Sequence, residues 1–267
     1  MSLTILWKGG SGMALLSIIV PCYNEEDAVE PFFARASAVC AGLGADVEYI
    51  FVDDGSQDGT LARIKELGAG VRWLSLSRNF GKEAAMFAGL EHARGDYVAV
   101  MDADLQDPPE LLPQLLAAAE SGQWDCAAVR RVDRKGEPPI RSWFARQFYK
   151  LINKMSRTEI VDGARDYRLM TRQMADAILR LTEYNRFSKG IFSWVGFRTK
   201  WVETENVRRA AGESKWSFFK LLLYALDGII AFSTAPLAIA SVLGLALCAV
   251  SFFAIIFVVV RKLVWGG

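Results

Sequence analysis

Cysteine is scarce and unclustered: Cys22, Cys40, Cys126 and Cys248 are the four in the chain, and they form no Cys-X-X-Cys pair. No thiolate metal knuckle or disulfide framework is indicated, and reduced, buried thiols in a cytosolic domain are expected. A surplus of charge is also missing. With 31 basic and 30 acidic residues the net charge is +1, which excludes bulk attraction to nucleic acid and leaves anion binding to local basic clusters. Histidine occurs once, as His92, inside a predicted helix where a surface position is expected. Internal repeats and low-complexity tracts are absent. The apolar run from Met13 to Cys22 is short, Pro21 precedes the cysteine and Glu25 and Glu26 follow, so it is read neither as a signal peptide nor as a lipoprotein site. Residues 1–13 are read as a leader or remnant without a usable signal.

Charge disappears entirely from Thr234 to Val260, a run of 27 residues in a chain that is 52% hydrophobic. As a helix this run is roughly 40 Å long at about 1.5 Å per residue, and about 20 residues suffice to cross a bilayer. Core helices rarely run this long without a polar face, so residues 234–260 are expected to form one transmembrane helix. The preceding stretch, Trp216 to Phe232, is strongly apolar with only Lys220 and Asp227 charged, which suits interfacial helices in a juxtamembrane segment, residues 206–233. Residues 261–267 form a tail.

Between residues 15 and 130, short β-branched runs alternate with amphipathic stretches. Residues 16–20, 47–52, 71–76, 97–101 and 125–129 read as strands, and 26–41, 58–67, 82–93 and 109–120 as helices. That alternation predicts an α/β fold, a mostly parallel sheet with helices on both faces, in a domain spanning residues 14–205. Ligands gather at the carboxyl ends of such strands. Three of those ends are rich in polar side chains: Pro21 to Glu26, Asp53 to Gly59 and Asp102 to Gln106.

Asp102, Asp104 and Gln106 are spaced two apart after an apolar strand. In an extended chain such residues face the same way, so two carboxylates and an amide oxygen can converge on Mg2+ or Mn2+ with positions left for phosphate oxygens. An Asp-Pro-Pro sequence also stops a strand and starts a helix, so spacing alone does not separate a metal site from a turn. Residues 131–162 interleave Arg131, Arg134, Lys135, Arg141, Arg146 and Lys150 with Trp143, Phe144, Phe148 and Tyr149, a pattern that suits a membrane surface or a phosphate. Arg131, Arg141, Ser142 and Arg146 are the candidates for an acceptor phosphate, because guanidinium forks match phosphate geometry.

Six segments occur together in order: Val20 to Glu26, Val52 to Thr60, Ser77 to Lys82, Met101 to Pro108, Asp166 to Met170, and Arg209 to Lys215. With them the chain resembles family 2 glycosyltransferases of the GT-A fold, and more narrowly the polyprenyl-phosphate glycosyltransferases, the group that includes bactoprenol-phosphate glucosyltransferases and dolichol-phosphate mannose synthase. The resemblance implies a GT-A, Rossmann-like domain. It implies transfer of a sugar from a nucleotide diphosphate to a polyprenyl phosphate at the cytoplasmic face of the inner membrane, with inversion at the anomeric carbon. It places nucleotide binding at Pro21, Tyr23, Asn24, Glu25, Asp53, Lys82, Asp102, Ala103, Arg131, Arg209 and Lys215. Metal binding falls to Asp102, Asp104 and Gln106, and catalysis to Asp104 and Asp166. Asp166 is either a base or a positioning group for acceptor or sugar, on a segment read as a turn that Tyr167 and Arg168 help to pack.

The implied partners are a nucleotide-sugar donor, a polyprenyl phosphate and the membrane, and a homo-oligomer is compatible with the sequence. Residues 77–82 and the membrane architecture favour UDP-glucose with undecaprenyl phosphate, with GDP-mannose and other UDP-sugars open. Bacterial relatives usually carry a second span, so the tail at 261–267 is either a truncation before it or the end of a one-span protein. A processive polysaccharide synthase would carry Gln-X-X-Arg-Trp, which the sequence lacks. A non-catalytic sugar-nucleotide sensor and a hydrolase are the remaining rivals, separated by glycosyl transfer to lipid.

Overall fold

The structure is a computed structural model that describes residues 13–68, 70–132, 153, 161–183, 186–204 and 235–266. Its strands are β1 (Leu15–Cys22), β2 (Asp46–Asp53), β3 (Val71–Ser75), β4 (Tyr97–Val100), β5 (Cys126–Arg131), β6 (Ala164–Thr171) and β7 (Thr199–Thr204). The helices are α1 (Glu26–Cys40), α2 (Thr60–Glu66), α3 (Lys82–His92), α4 (Leu112–Glu120), α5 (Arg172–Leu179), α6 (Ser188–Trp194) and α7 (Ala235–Trp265), with a single 3-10 turn at Pro109–Leu111 leading into α4. The seven strands form one sheet in the order β3-β2-β1-β4-β6-β5-β7.

Strand β1 is the reason a sheet forms here. Its sequence Leu-Leu-Ser-Ile-Ile-Val-Pro-Cys is almost continuously apolar because both of its faces are covered, as expected of a parallel strand flanked by crossover helices. On one face, Ile18, Phe51 and Tyr167 pack with Phe32 of α1 and Leu115 of α4. On the other, Ile19, Val100 and Met170 pack with Met86 of α3, Ile178 of α5 and Ile191 of α6. Each fully buried Ile or Leu contributes about 1.5–3 kcal/mol relative to exposure. Helix α3 lies close against β1 because residue 89 is glycine: a Cβ there would come within 2.3 Å of Ile19 Cγ2.

Strands β1 to β4 pair in parallel, as the alternation predicts, and β7 runs parallel to β5. Strand β6 does not follow that rule. It is inserted antiparallel between β4 and β5, and it occupies the segment that the sequence suggests is a turn. Its start therefore meets the carboxyl ends of β4 and β5, and the residues it carries there join the ligand-binding edge. The thiols of Cys22, Cys40 and Cys126 are buried and free.

Helix α7 has 31 residues and ends at Trp265, beyond the expected Val260. Apolar side chains stand exposed along its whole length, Leu245 at 72% and Phe253 at 68% among them, and Leu237–Trp265 is long and apolar enough to cross a membrane. It continues through Arg261 and Lys262, whose long stems let a charge reach water from the end of an apolar helix. All of the leader (1–13) but Met13, nearly all of the basic-aromatic segment, the interfacial segment Trp216–Phe232 and the loop Arg209–Lys215 lie outside the described residues.

Candidate active site

The loops at the carboxyl ends of β1, β2 and β3 are tied together by hydrogen bonds within the protein. Asn24, in the left-handed region at φ 53°, donates its N–H to Ser56 Oγ and accepts from Gln57 N–H through Oδ1. Glu25 N–H donates to Thr60 Oγ1 and Gly59 N–H to Glu26 Oε2, so the two loops hold each other. Asp53, buried, accepts from Ser56 N–H and from the Ser75 hydroxyl. Its neighbour Asp54 accepts from Phe80 N–H at 2.8 Å and Gly81 N–H at 2.9 Å, and so fixes the entry to α3. Burial pushes the Asp54 carboxyl above its ordinary range. Gly55 makes this interlock feasible: at φ 67°, its Cα faces the backbone of Arg78, where a Cβ would come within 2.4 Å. Pro21 and Ala103 are buried beside these loops, and Tyr23 is half-buried.

Strand β4 ends at Val100 and the chain turns at once. Ala103 and Asp104 lie in a turn, and Leu105 adopts φ 56°. The expected geometry, carboxylates aligned along an extended chain, is thereby corrected: a tight turn, not strand alternation, presents Asp102 and Asp104. Gln106 N–H donates to Asp104 Oδ1 at 3.1 Å and stabilises that turn. The Gln106 amide oxygen accepts from Arg165 Nη2 at 3.0 Å, so one of its acceptor positions is already engaged.

Arg165 and Asp166 open β6, and being adjacent on a strand they point to opposite faces of the sheet. Arg165 Nε donates to both oxygens of buried Asp107, at 2.9 and 3.0 Å. Asp166 reaches Lys82, whose Nζ lies 2.5 Å from Asp166 Oδ2, 2.6 Å from Asp102 Oδ1 and 2.8 Å from Asp102 Oδ2. The two residues thus grip the Asp102–Asp107 turn from either side. Burial alone would lower the Lys82 pKa, but the two carboxylates outweigh it and push it well above its ordinary value. Burial likewise opposes the charge on Asp166, and Lys82 followed by Lys189 more than compensates, holding the carboxyl well below the usual range. Burial pushes Asp107 up against the pull of Arg165.

Arg168, two residues along β6, is buried and donates to the carbonyls of Arg165 at 2.8 Å and Asp166 at 3.3 Å. Its guanidinium stacks 3.5 Å from the Phe192 ring centroid. Glu83 accepts from the Ser188 N–H and hydroxyl, which docks α6 beside the lysine. Sequence reasoning missed Arg165 and the Glu83–Ser188 contact, gave Asp107 no role although it lies inside the Met101–Pro108 segment, and read Arg168 only as packing a turn.

Among the expected site residues, Asp102, Lys82 and Asp166 are brought into contact, and Asp104 and Gln106 share the same turn. Arg131 ends β5 at the same edge, where its N–H donates to Gly163. Arg141, Ser142, Arg146, Arg209 and Lys215 lie outside the described residues. His92, the last residue of α3, is exposed, with Nδ1 2.8 Å from the Ala88 carbonyl oxygen.

Two features fit a divalent cation. Asp102 Oδ1 is buried and lacks a hydrogen bond of good geometry despite its closeness to the ammonium, and Asp104 supplies a second carboxylate in the same turn. Among the described residues no group of three or more His, Cys, Asp or Glu is placed to hold an ion unaided. Two carboxylates completed by diphosphate oxygens are the donor set that hard cations accept.

Comparison with known proteins gives concordant results. The family model described as glycosyl transferase family 2 matches residues 17–179. CsbB of Bacillus subtilis (strain 168) is 43% identical over 94% of this chain and 77% of its own length. The bactoprenol glucosyl transferase of Shigella phage SfV is 41% identical over 94% of this chain and 83% of its own. In fold, the chain is similar to glucosyl-3-phosphoglycerate synthase from Mycobacterium tuberculosis, with a TM-score of 0.55 at 18% identity, covering 84% of this chain and 83% of that one.

Proposed function

This chain belongs to glycosyl transferase family 2, and from that premise we propose that it is a membrane-anchored, inverting enzyme that moves glucose from UDP-glucose to undecaprenyl phosphate at the cytoplasmic face of the inner membrane. The observation that carries this reading is the 41% identity, across nearly the whole chain, to a protein named bactoprenol glucosyl transferase. The long apolar helix α7 supports anchoring beside a lipid acceptor.

Donor binding falls to the interlocked loops: Pro21, Tyr23, Asn24, Glu25 and Asp53 for the base and ribose side, with Lys82, Asp102, Ala103, Arg131, Arg209 and Lys215 toward the diphosphate. Asp102 and Asp104, with Gln106 beside them, would hold Mg2+ or Mn2+. Such an ion, when bound, stabilises the charge that develops on the leaving nucleoside diphosphate.

The remaining chemistry needs little from the protein beyond placement. A phosphate monoester has a second pKa near ~6 and is largely dianionic at neutral pH. Its oxygen forms the bond to the anomeric carbon as the bond to the donor phosphate oxygen breaks, and the electron pair leaves with the nucleoside diphosphate. No proton has to move, so Asp166, held as a carboxylate against Lys82, serves to orient acceptor or sugar. Arg131, with Arg141, Ser142 and Arg146, receives the acceptor phosphate.

The test is transfer of radiolabelled sugar from a panel of UDP- and GDP-sugars to undecaprenyl phosphate in detergent, with Mn2+, with Mg2+ and with chelator. A metal-dependent glucolipid of inverted configuration is expected. A product from GDP-mannose or another UDP-sugar would replace the donor assignment, and nucleotide binding without any transfer would overturn the enzymatic reading.

A further inference from the structure

Lys82 is the first residue of α3, and the ground beneath it is fixed. Asp54 holds the N–H groups of Phe80 and Gly81, so the helix start does not drift relative to the sheet. Beyond that anchor the lysine side chain is 38% exposed, so one side of it borders solvent rather than packed protein. Its ammonium head donates to Asp102 Oδ2 and Asp166 Oδ2 and lies 2.6 Å from Asp102 Oδ1, between two carboxylates that would repel each other without it. The same Asp102 oxygens are those assigned above to a divalent ion. An ammonium within 2.8 Å of both Asp102 oxygens occupies the space that an ion on that carboxylate would need, so the two cations compete for it.

We propose that Lys82 is the resident cation of this carboxylate pair. It holds Asp102 and Asp166 at working distance before the ion and donor arrive, gives up Asp102 when the ion takes it, and stays with Asp166. The inference rests on the metal role of Asp102 given under the proposed function. It has an uncommon consequence: removing the lysine should improve metal binding while impairing transfer. An ordinary packing or folding role would lower both. A role confined to holding the donor diphosphate would weaken nucleotide binding and leave metal affinity without nucleotide unchanged.

The experiment is a titration of the full-length protein in detergent with MnCl2, following free Mn2+ by electron paramagnetic resonance, with and without UDP. Without nucleotide, Lys82→Met should bind Mn2+ about tenfold more tightly than wild type, an effect of the size seen for groups that contact a metal ligand but of opposite sign, because the group removed is a competing cation. Glucosyl transfer by the same variant should fall. Lys82→Arg, which keeps a cation at the carboxylates, should bind Mn2+ no more tightly than wild type, and it reports on the inference should Lys82→Met fail to fold. Equal or weaker Mn2+ binding by Lys82→Met, or tighter binding by Lys82→Arg, overturns the inference while leaving the metal reading intact. Absence of Mn2+ binding in wild type, with or without UDP, overturns the metal reading and the inference together.

Discussion

Arg165→Met isolates the contact that fixes the acidic turn, and its effect can be worked from the geometry. The guanidinium makes three hydrogen bonds, two to Asp107 and one to Gln106, and the Asp107 side chain is only 3% exposed. Breaking a buried ion pair by deleting one partner costs about 3–5 kcal/mol when the remaining charge stays ionised. Asp107 has an escape, because burial already raises its folded pKa above the unfolded one, and loss of Arg165 raises it further. A carboxyl with a raised folded pKa favours the folded state most at low pH, and that advantage is lost as pH rises through the folded pKa. Without Arg165 the loss continues to higher pH. The gap between variant and wild type should therefore widen as pH rises above the ordinary carboxylate range. Well above that range we expect about 3 kcal/mol, or a melting temperature lower by roughly 6–12 °C. Thermal unfolding followed by tryptophan fluorescence in detergent measures it. Adding Asp107→Asn to the variant should restore much of that loss. A deficit below about 1 kcal/mol, or one that does not change with pH, would refute this account of the pair.

Two further outcomes are expected. Gly55→Ala puts a Cβ against the Arg78 backbone at a residue with φ 67° and should cost about 1–3 kcal/mol. Because it forces apart the loops that hold the donor, it should raise KM for the nucleotide sugar more than it lowers kcat; a change in kcat alone would count against the loops' assignment. The full chain should remain in the membrane pellet after carbonate extraction at high pH, and release into the supernatant would show that α7 does not span the bilayer.

The first five strands and four helices are legible in the sequence because both sheet faces are covered there, leaving β-branched runs separated by amphipathic stretches. Strand β6 escapes that reading for a physical reason: it carries Arg165, Asp166 and Arg168, and the buried guanidinium of Arg168 breaks the apolar run expected of a central strand. Strand β7, Thr-Lys-Trp-Val-Glu-Thr, lies at the sheet edge and buries only Val202. Helix α6 has seven residues with a glycine among them, too short for periodicity to register. Asp102, Asp104 and Asp166 are marked by spacing and by resemblance, but the lysine that joins two of them is 20 residues from one and 84 from the other, a distance no local pattern bridges. Arg165 is hidden because its role depends on the reversed direction of β6.

That reversal also sets a schedule for synthesis. Among the described residues, β5 is bonded to β6 and β7 alone, and β4 shows an open edge until β6 fills it. The nascent chain must therefore be extended by about 40 residues beyond Arg131 before either strand has its neighbour. At a synthesis rate of about 5–20 residues per second, that leaves the edge of β5 uncovered for roughly 2–8 seconds, and that of β4 for longer. Helix α7 follows β7, so the described sheet can close before that membrane-seeking helix emerges.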